Sequence, residues 1–285
     1  YFGYPVLLSL LRSLAPAPSI PEITEKELPA ITMILSAFNE ELVMEEKVTN
    51  FLKIDYPNDR ILLWIGSDGS QDNTVQIARD AAQNDPRILI KDFQENRGKV
   101  NVINDLMSQV KTPIVILSDA NTLYAPNSIR HLVKHFAEER VGGVCARLQL
   151  THQDAESCEE EGLYWRYETF LKKAESDLGT LSSINGQAFA FRKDLYVSLP
   201  PDSITEDQHL GLSILARGHR IRFDSQAIVT EPIGNLQTEQ GRRLRISAGN
   251  FQTLFRAGLP LLNPLRGFAC FAYVSHKVIR WFVPL

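Results

Sequence analysis

Four short apolar runs punctuate the first 120 residues: ITMILSA at 31–37, ILLWIGS at 61–67, RILI at 87–90 and PIVILS at 113–118. Their brevity and near-continuous hydrophobicity predict strands buried on both faces. Between them, apolar residues return at helical spacing: Met44, Val48, Phe51 and Leu52, then Val75, Ala78 and Ala82, then Val102, Leu106 and Val110. The alternation reads βαβαβαβ, which calls for a parallel sheet with helices on both faces, an α/β fold. The second half is less regular. It suggests a polar helical stretch near 155–177, a strand around Ala188 to Phe191, a helix from about Glu206 to Ala216 and strands at 220–229. No internal repeat, low-complexity tract or flexible linker divides the two halves, so one catalytic-size domain is expected over 21–257.

Composition fits a globular chain able to bury a large core: 285 residues, 44% of them hydrophobic. Three cysteines at wide, irregular spacing, Cys145, Cys158 and Cys270, offer neither a disulfide framework nor a zinc pattern and suit a reducing compartment. The net charge of −4 argues against nucleic acid as a partner. That average hides an asymmetry: from Gly241 onward there are seven Lys/Arg and no Asp/Glu, so removing this +7 from −4 leaves −11 on residues 1–240. The segment 258–285 mixes Phe, Tyr and Trp with Arg266, Lys277 and Arg280, a composition suited to a headgroup boundary on the cytoplasmic side of a membrane. A hydrophobic C-terminal helix covering the core is the alternative. The apolar stretch at the start, within 1–20, is too short to span a bilayer and is expected to adjoin the membrane. No basic-then-apolar signal peptide is visible.

In open α/β sheets, ligands sit beyond the carboxyl ends of the strands. Three predicted strand ends are polar: Phe38-Asn39-Glu40, Asp68-Gly69-Ser70 and Asp119-Ala120-Asn121. Any one could be a turn or helix cap; three on one sheet edge point to a site. Asp119 and Asn121 place two oxygen donors two residues apart, which suits Mg²⁺ or Mn²⁺ shared with phosphate. Asn96-Arg97-Gly98-Lys99 precedes a helix, a setting that favours anions, although a solvated lysine beside a capped helix would look the same. Thr205-Glu206-Asp207 opens another helix, where capping explains the first two residues and Asp207 is the sharper candidate for a general base. Arg242, Arg243 and Arg245 form a basic cluster that a diphosphate or lipid headgroups would balance, or that solvent would cover.

Taken in order, SAFNEE, SDGSQDNT, NRGK, SDAN, NGQAFAFRKDLY, TEDQHLG and RRLRISAGN resemble the family 2 glycosyltransferases of the GT-A fold, nearest to membrane-bound cellulose-synthase-like and chitin- or hyaluronan-synthase-like enzymes. The resemblance runs from about Ile31 to Asn250. It implies a Rossmann-like sandwich with a mostly parallel central sheet, and inverting transfer from a UDP-sugar to a glycan or lipid-linked acceptor. It further implies nucleoside contacts from Phe38, Glu40 and Asp68, nucleotide contact from Lys99, metal-diphosphate binding by Asp119 and the residue at 121, and a base at Asp207. Glu206, Arg242 and Arg245 join the expected substrate contacts. This sequence departs from the family pattern twice. Asn121 stands where a second Asp is usual, and Ile246 stands where processive synthases carry a Trp, which leaves open whether one sugar or many are transferred. A nucleotidyltransferase and a nucleotide-sugar-binding module without catalysis are the competing functions.

Overall fold

The computed structural model describes residues 3–15, 22–151, 158–184, 186–232 and 236–282. In chain order the elements are α1 (Gly3–Leu14), β1 (Ile31–Ala37), α2 (Glu41–Leu52), β2 (Ile61–Asp68), α3 (Thr74–Ala82), β3 (Ile88–Phe93), α4 (Lys99–Met107), β4 (Ile114–Ser118), β5 (Leu123–Tyr124), α5 (Ser128–Val133), β6 (Val141–Thr151), α6 (Cys158–Leu178), β7 (Ala188–Arg192), α7 (Glu206–Ala216), β8 (Arg220–Pro232) and α8 (Leu236–Thr253). Short helical turns continue from 254 to 282.

The strands form an eight-stranded sheet in the order β3-β2-β1-β4-β7-β6-β8-β5. Pairing is parallel from β3 through β2 and β1 to β4. It turns antiparallel at β4–β7 and β7–β6, parallel again at β6–β8 and antiparallel at β5–β8. The α/β expectation and the mostly parallel sheet are therefore met, and the irregular second half of the sequence is where the antiparallel strands enter.

Strand periodicity divides the core. Ile31, Met33 and Leu35 of β1 face one layer, packed with Met44, Val48 and Phe51 of α2 and Ala78 of α3, while Ile34 faces the other with Val102 and Leu106 of α4 and Leu210 and Ile214 of α7. Leu254, Ala257, Leu261 and Tyr273 from the last turns join this second layer and are buried, so part of the basic, apolar end does cover the core. β6 lay unread in the sequence because Gly142 and Gly143 interrupt its pattern. Their bareness has a packing reason: a Cβ on Gly143 would come within 2.7 Å of the Phe189 ring on β7.

α1 packs against α6, burying Leu8 with Leu171 and Ala174. Tyr4 also meets the Phe271 ring at 5.6 Å, which sets the two ends of the chain side by side. Among the described residues no helix is long and apolar enough to cross a membrane.

Candidate active site

The chain runs from β1 outward to β2 and β3, then returns to place β4 on the other side of β1. The crevice at such a reversal is where an open α/β sheet receives ligands. Two of the acidic strand ends flank it: Glu40 follows β1, and Asp119 follows β4 directly. The loop after β1 is tied to the loop after β2, with the Asn39 N–H donating to Ser70 Oγ at 3.1 Å, the Gln71 N–H to Asn39 Oδ1 at 2.9 Å and the Glu40 N–H to Thr74 Oγ1 at 2.8 Å.

Asp68, buried at the end of β2, accepts the Arg97 N–H and the Gly98 N–H at 2.8 Å each, one on each carboxylate oxygen. Gly69 lets the loops meet. Its φ is +70°, and a Cβ there would lie 2.6 Å from the Asn96 nitrogen. These contacts fix the start of α4, whose first residue is Lys99. Asp68 thus holds the loop that carries the lysine.

Lys99 Nζ sits 2.6 Å from Asp119 Oδ1 and 2.6 Å from Glu206 Oε1, joining the end of β4 to the start of α7. Burial works against its charge, but Asp119 and Glu206 together hold its pKa above the ordinary lysine value. Asp207 follows immediately. Burial, and then the neighbouring Glu206 charge, push its pKa up to about 6, with the Gln208 N–H and Lys99 pulling the other way. Glu40 is raised as well, by burial and then by the charge of Asp119. Four carboxylates, Glu40, Asp119, Glu206 and Asp207, therefore share the crevice with Lys99, and their mutual repulsion favours a cationic guest.

The loop behind Asp207 is braced. Gln208 accepts the Ile184 N–H at 3.1 Å and donates to the Ser182 carbonyl at 3.0 Å. Gly186 lies directly against Asp207, since a Cβ there would stand 3.0 Å from its Oδ2. In this loop, from Leu181 to Gln187, Asn185 lies outside the described residues.

Two residues that sequence reasoning passed over hold the turn bearing Asp119 and Asn121. Lys47 of α2 is 1% exposed and donates to Ser118 Oγ at 2.7 Å and to the Thr122 carbonyl, bracketing that turn from below. Burial draws its pKa down to about 7 against the attraction of Asp119. One helical turn on, Asn50 grips the Tyr124 backbone through both its N–H and its carbonyl. The second missed residue is Glu231 of β8, buried, which accepts a hydrogen bond from Asn121 Nδ2 at 2.8 Å. Each left a mark in the sequence. Lys47 interrupts the buried stripe Met44, Val48, Phe51 at an inward position, and Glu231 continues the inward alternation of Ala227 and Val229.

Of the other expected contacts, Phe38 is exposed beside the crevice. Arg245 is exposed on α8, and among the described residues no ion pair joins it to the acidic cluster. The Arg242 side chain lies outside the described residues. Also among the described residues, no three Asp, Glu, His or Cys side chains gather into a metal shell of their own.

A sequence model described as glycosyl transferase family 2 matches residues 32–198, more than half of the chain and all three acidic strand ends. The chain belongs to glycosyl transferase family 2. It is 27% identical over 245 residues to a poly-β-1,6-N-acetyl-D-glucosamine synthase of Staphylococcus aureus, and 24% identical over 247 residues to that of Staphylococcus epidermidis. These alignments cover 83% and 84% of this chain but 58% of each relative, so the chain spans little more than half the length of those synthases. Among solved structures, a mannosyltransferase of Pyrobaculum calidifontis in complex with GDP-Man and Mn²⁺ aligns with TM-score 0.79 and 22% identity, over 98% of this chain and 79% of its own. S. aureus TarS in complex with UDP aligns with TM-score 0.65 and 13% identity, over 90% of this chain and 76% of its own. At such identities the likeness carries the fold, and it is the GT-A glycosyltransferase fold that the sequence implied. The family match also decides between the two enzyme readings, in favour of glycosyl transfer over nucleotidyl transfer.

Proposed function

We propose that this family 2 glycosyltransferase takes its sugar from a UDP-sugar and passes it, with inversion, to a glycan or lipid-linked acceptor. The observation that carries the reading is the pairing of a recessed carboxylate, Asp207, with a bridged acidic pair, Asp119 and Glu206, at one strand-end crevice. Asp207 accepts the proton of the acceptor hydroxyl as its oxygen attacks the anomeric carbon opposite the departing UDP, so the anomeric configuration inverts. A pKa of about 6 leaves Asp207 ionised at neutral pH yet basic enough to hold the proton. Lys99 stays cationic and can exchange a carboxylate partner for a phosphate oxygen. Phe38, Glu40 and Asp68 line or support the nucleoside side, and Arg242 and Arg245 are proposed to meet the diphosphate or acceptor from α8.

The donor set fits a divalent ion that arrives with its ligand. Asp119 and Asn121 offer a carboxylate and an amide oxygen at the mouth of an acidic crevice, and Mg²⁺ or Mn²⁺ completes its shell from substrate phosphates when the protein supplies one or two oxygens. Bound there, such an ion would neutralise charge on the leaving diphosphate.

We also propose that the protein works at a membrane, with the domain on the cytoplasmic side and segments 1–20 and 258–285 at the lipid boundary. Of these segments, residues 1, 2, 16–20 and 283–285 lie outside the described residues. Support comes from the apolar residues that the adjoining ends expose, Val6, Leu10 and Leu14 on α1 with Leu259, Leu265 and Ile279, beside a basic segment free of acids.

The test is a screen of UDP-sugars for UDP release by the full-length protein in lipid with Mg²⁺ or Mn²⁺, beginning with UDP-GlcNAc because of the relatives' product. Turnover of one UDP-sugar is expected. Binding of UDP-sugars without turnover of any would return the case to a nucleotide-sugar-binding module. Asp119→Ala should abolish the gain in UDP affinity that Mn²⁺ provides; calorimetry with and without the ion checks it.

A further inference from the structure

Position 121 bears an amide where the family pattern has a second carboxylate, and a carboxylate stands one hydrogen bond behind it. β5 runs antiparallel to β8, with Leu123 opposite Thr230 and Tyr124 opposite Val229, so the strand pairing carries Glu231 alongside the Asp119–Asn121 turn. Glu231 is 5% exposed and paired on its other side with Leu150 of β6, which fixes its place in the sheet.

Asn121 Nδ2 donates to Glu231 Oε1 at 2.8 Å, the arrangement that an ionised carboxylate, which only accepts hydrogen bonds, would require. The amide oxygen is then turned away from Glu231, and the adjacent negative charge polarises the amide so that this oxygen becomes a better donor to a cation.

We infer that Glu231 is a positioning residue of the metal-diphosphate half of the site: it orients Asn121 and keeps within one hydrogen bond the negative charge that an Asp at 121 would have carried. The inference rests on the metal-dependent reading above. It explains why an asparagine is tolerated at 121: the charge has moved to the second member of a pair rather than disappeared. Metal ligands held this way lose roughly 10–100-fold in affinity when the supporting group is removed.

The experiment is calorimetric titration of UDP into the full chain, with Mn²⁺ and with chelator, for the wild type, Asp119→Ala, Glu231→Gln and the double variant Glu231→Gln with Asn121→Asp. Glu231→Gln keeps an acceptor oxygen facing Asn121 and removes only the charge. It should weaken Mn²⁺-dependent UDP binding by about tenfold or more and leave binding in chelator unchanged, a split that a merely structural defect would not produce. The double variant returns the charge to position 121, with the glutamine amide at position 231 now donating the hydrogen bond, and should recover Mn²⁺-dependent binding to within about threefold of wild type. If Glu231→Gln retains the full Mn²⁺ gain while Asp119→Ala loses it, the role given to Glu231 is wrong and the metal site stands. A double variant that melts normally yet fails to recover overturns it equally. A wild type with no Mn²⁺ gain at all overturns the metal reading and this inference together.

Discussion

The crevice and the cluster around His276 are built from the same kinds of side chain and end in opposite electrostatic states. In the cluster, His276 is fully buried, with Nδ1 2.6 Å from Glu175 and Nε2 3.2 Å from Glu168. Arg280 reaches Glu168, the Tyr4 hydroxyl donates to Glu175 at 2.7 Å, and the Ser182 N–H and hydroxyl donate to Glu175 at 3.3 Å. Burial works against protonation of His276, but Glu175 and Glu168 raise its pKa above the ordinary histidine value; Glu168 is in turn held below the usual carboxylate range against the effect of burial, by His276 and then Arg280. The two acids meet His276 and Arg280, with Lys172 and Lys277 also near enough to act on them, and α1, α6, the last helical turns and the loop behind Asp207 are fastened together. In the crevice, four acids meet Lys99 at a surface that solvent reaches. The difference teaches which charges hold the fold and which await a ligand: acids compensated and buried in one place, acids in excess and open in the other.

That contrast can be broken in order of expected effect. Asp207→Asn should cut turnover by about 10²–10⁴-fold, the range of general-base catalysis, with UDP affinity and Tm unchanged; a variant with near-normal turnover would remove Asp207 from the role. His276→Ala should do the reverse. Stripping the cation from buried Glu175 and Glu168 should cost about 3–5 kcal/mol of stability, read as a lower denaturant midpoint, while the folded fraction binds UDP normally. Gly186→Ala sits between them, because its methyl group would crowd Asp207 Oδ2 from 3.0 Å. A drop in kcat of about tenfold with little change in Tm is expected, since small misplacements of a reacting group carry large rate costs.

The smallest effects are in pH. The rate should fall as pH drops through about 6, where Asp207 takes up a proton, and a kcat/KM profile flat from about pH 5 to 8 would refute the assignment. The His276 contribution has the opposite sign. A folded pKa above the unfolded value makes its stabilisation complete below about 6.5 and lost as pH rises through the raised folded value. The gap between the melting curves of wild type and His276→Ala should therefore narrow as pH rises across that range, leaving the cost of the cavity and the lost hydrogen bond.

Much of the crevice was legible because it depends on local signals. Apolar runs placed β1, β2 and β4 to within a residue or two, and the polar residues ending them named Glu40, Asp68 and Asp119. Lys99 and Asp207 fell at the first turns of α4 and α7, as their helix-start patterns implied. What escaped was non-local. β6 was hidden by its glycines, whose bareness answers to distant partners, Ile214 and Leu195 for Gly142 and Phe189 of β7 for Gly143. Lys47 interrupts an apolar stripe and Glu231 falls at an inward position of a strand, but nothing near them in sequence says what they face. Nothing near His276 in sequence says that it meets Glu168 and Glu175 of α6.

The sequence by itself determined the α/β class, the order of the acidic strand ends and the family, because strand length, helix period and motif order are properties of consecutive residues. Only the tertiary structure decided that Lys99 bridges Asp119 to Glu206, that Lys47 and Glu231 support the turn between them, and that the two ends of the chain meet at His276. Hydrogen bonds and ion pairs act over about 3 Å, and residues far apart in sequence come within that range only when the sheet brings them there.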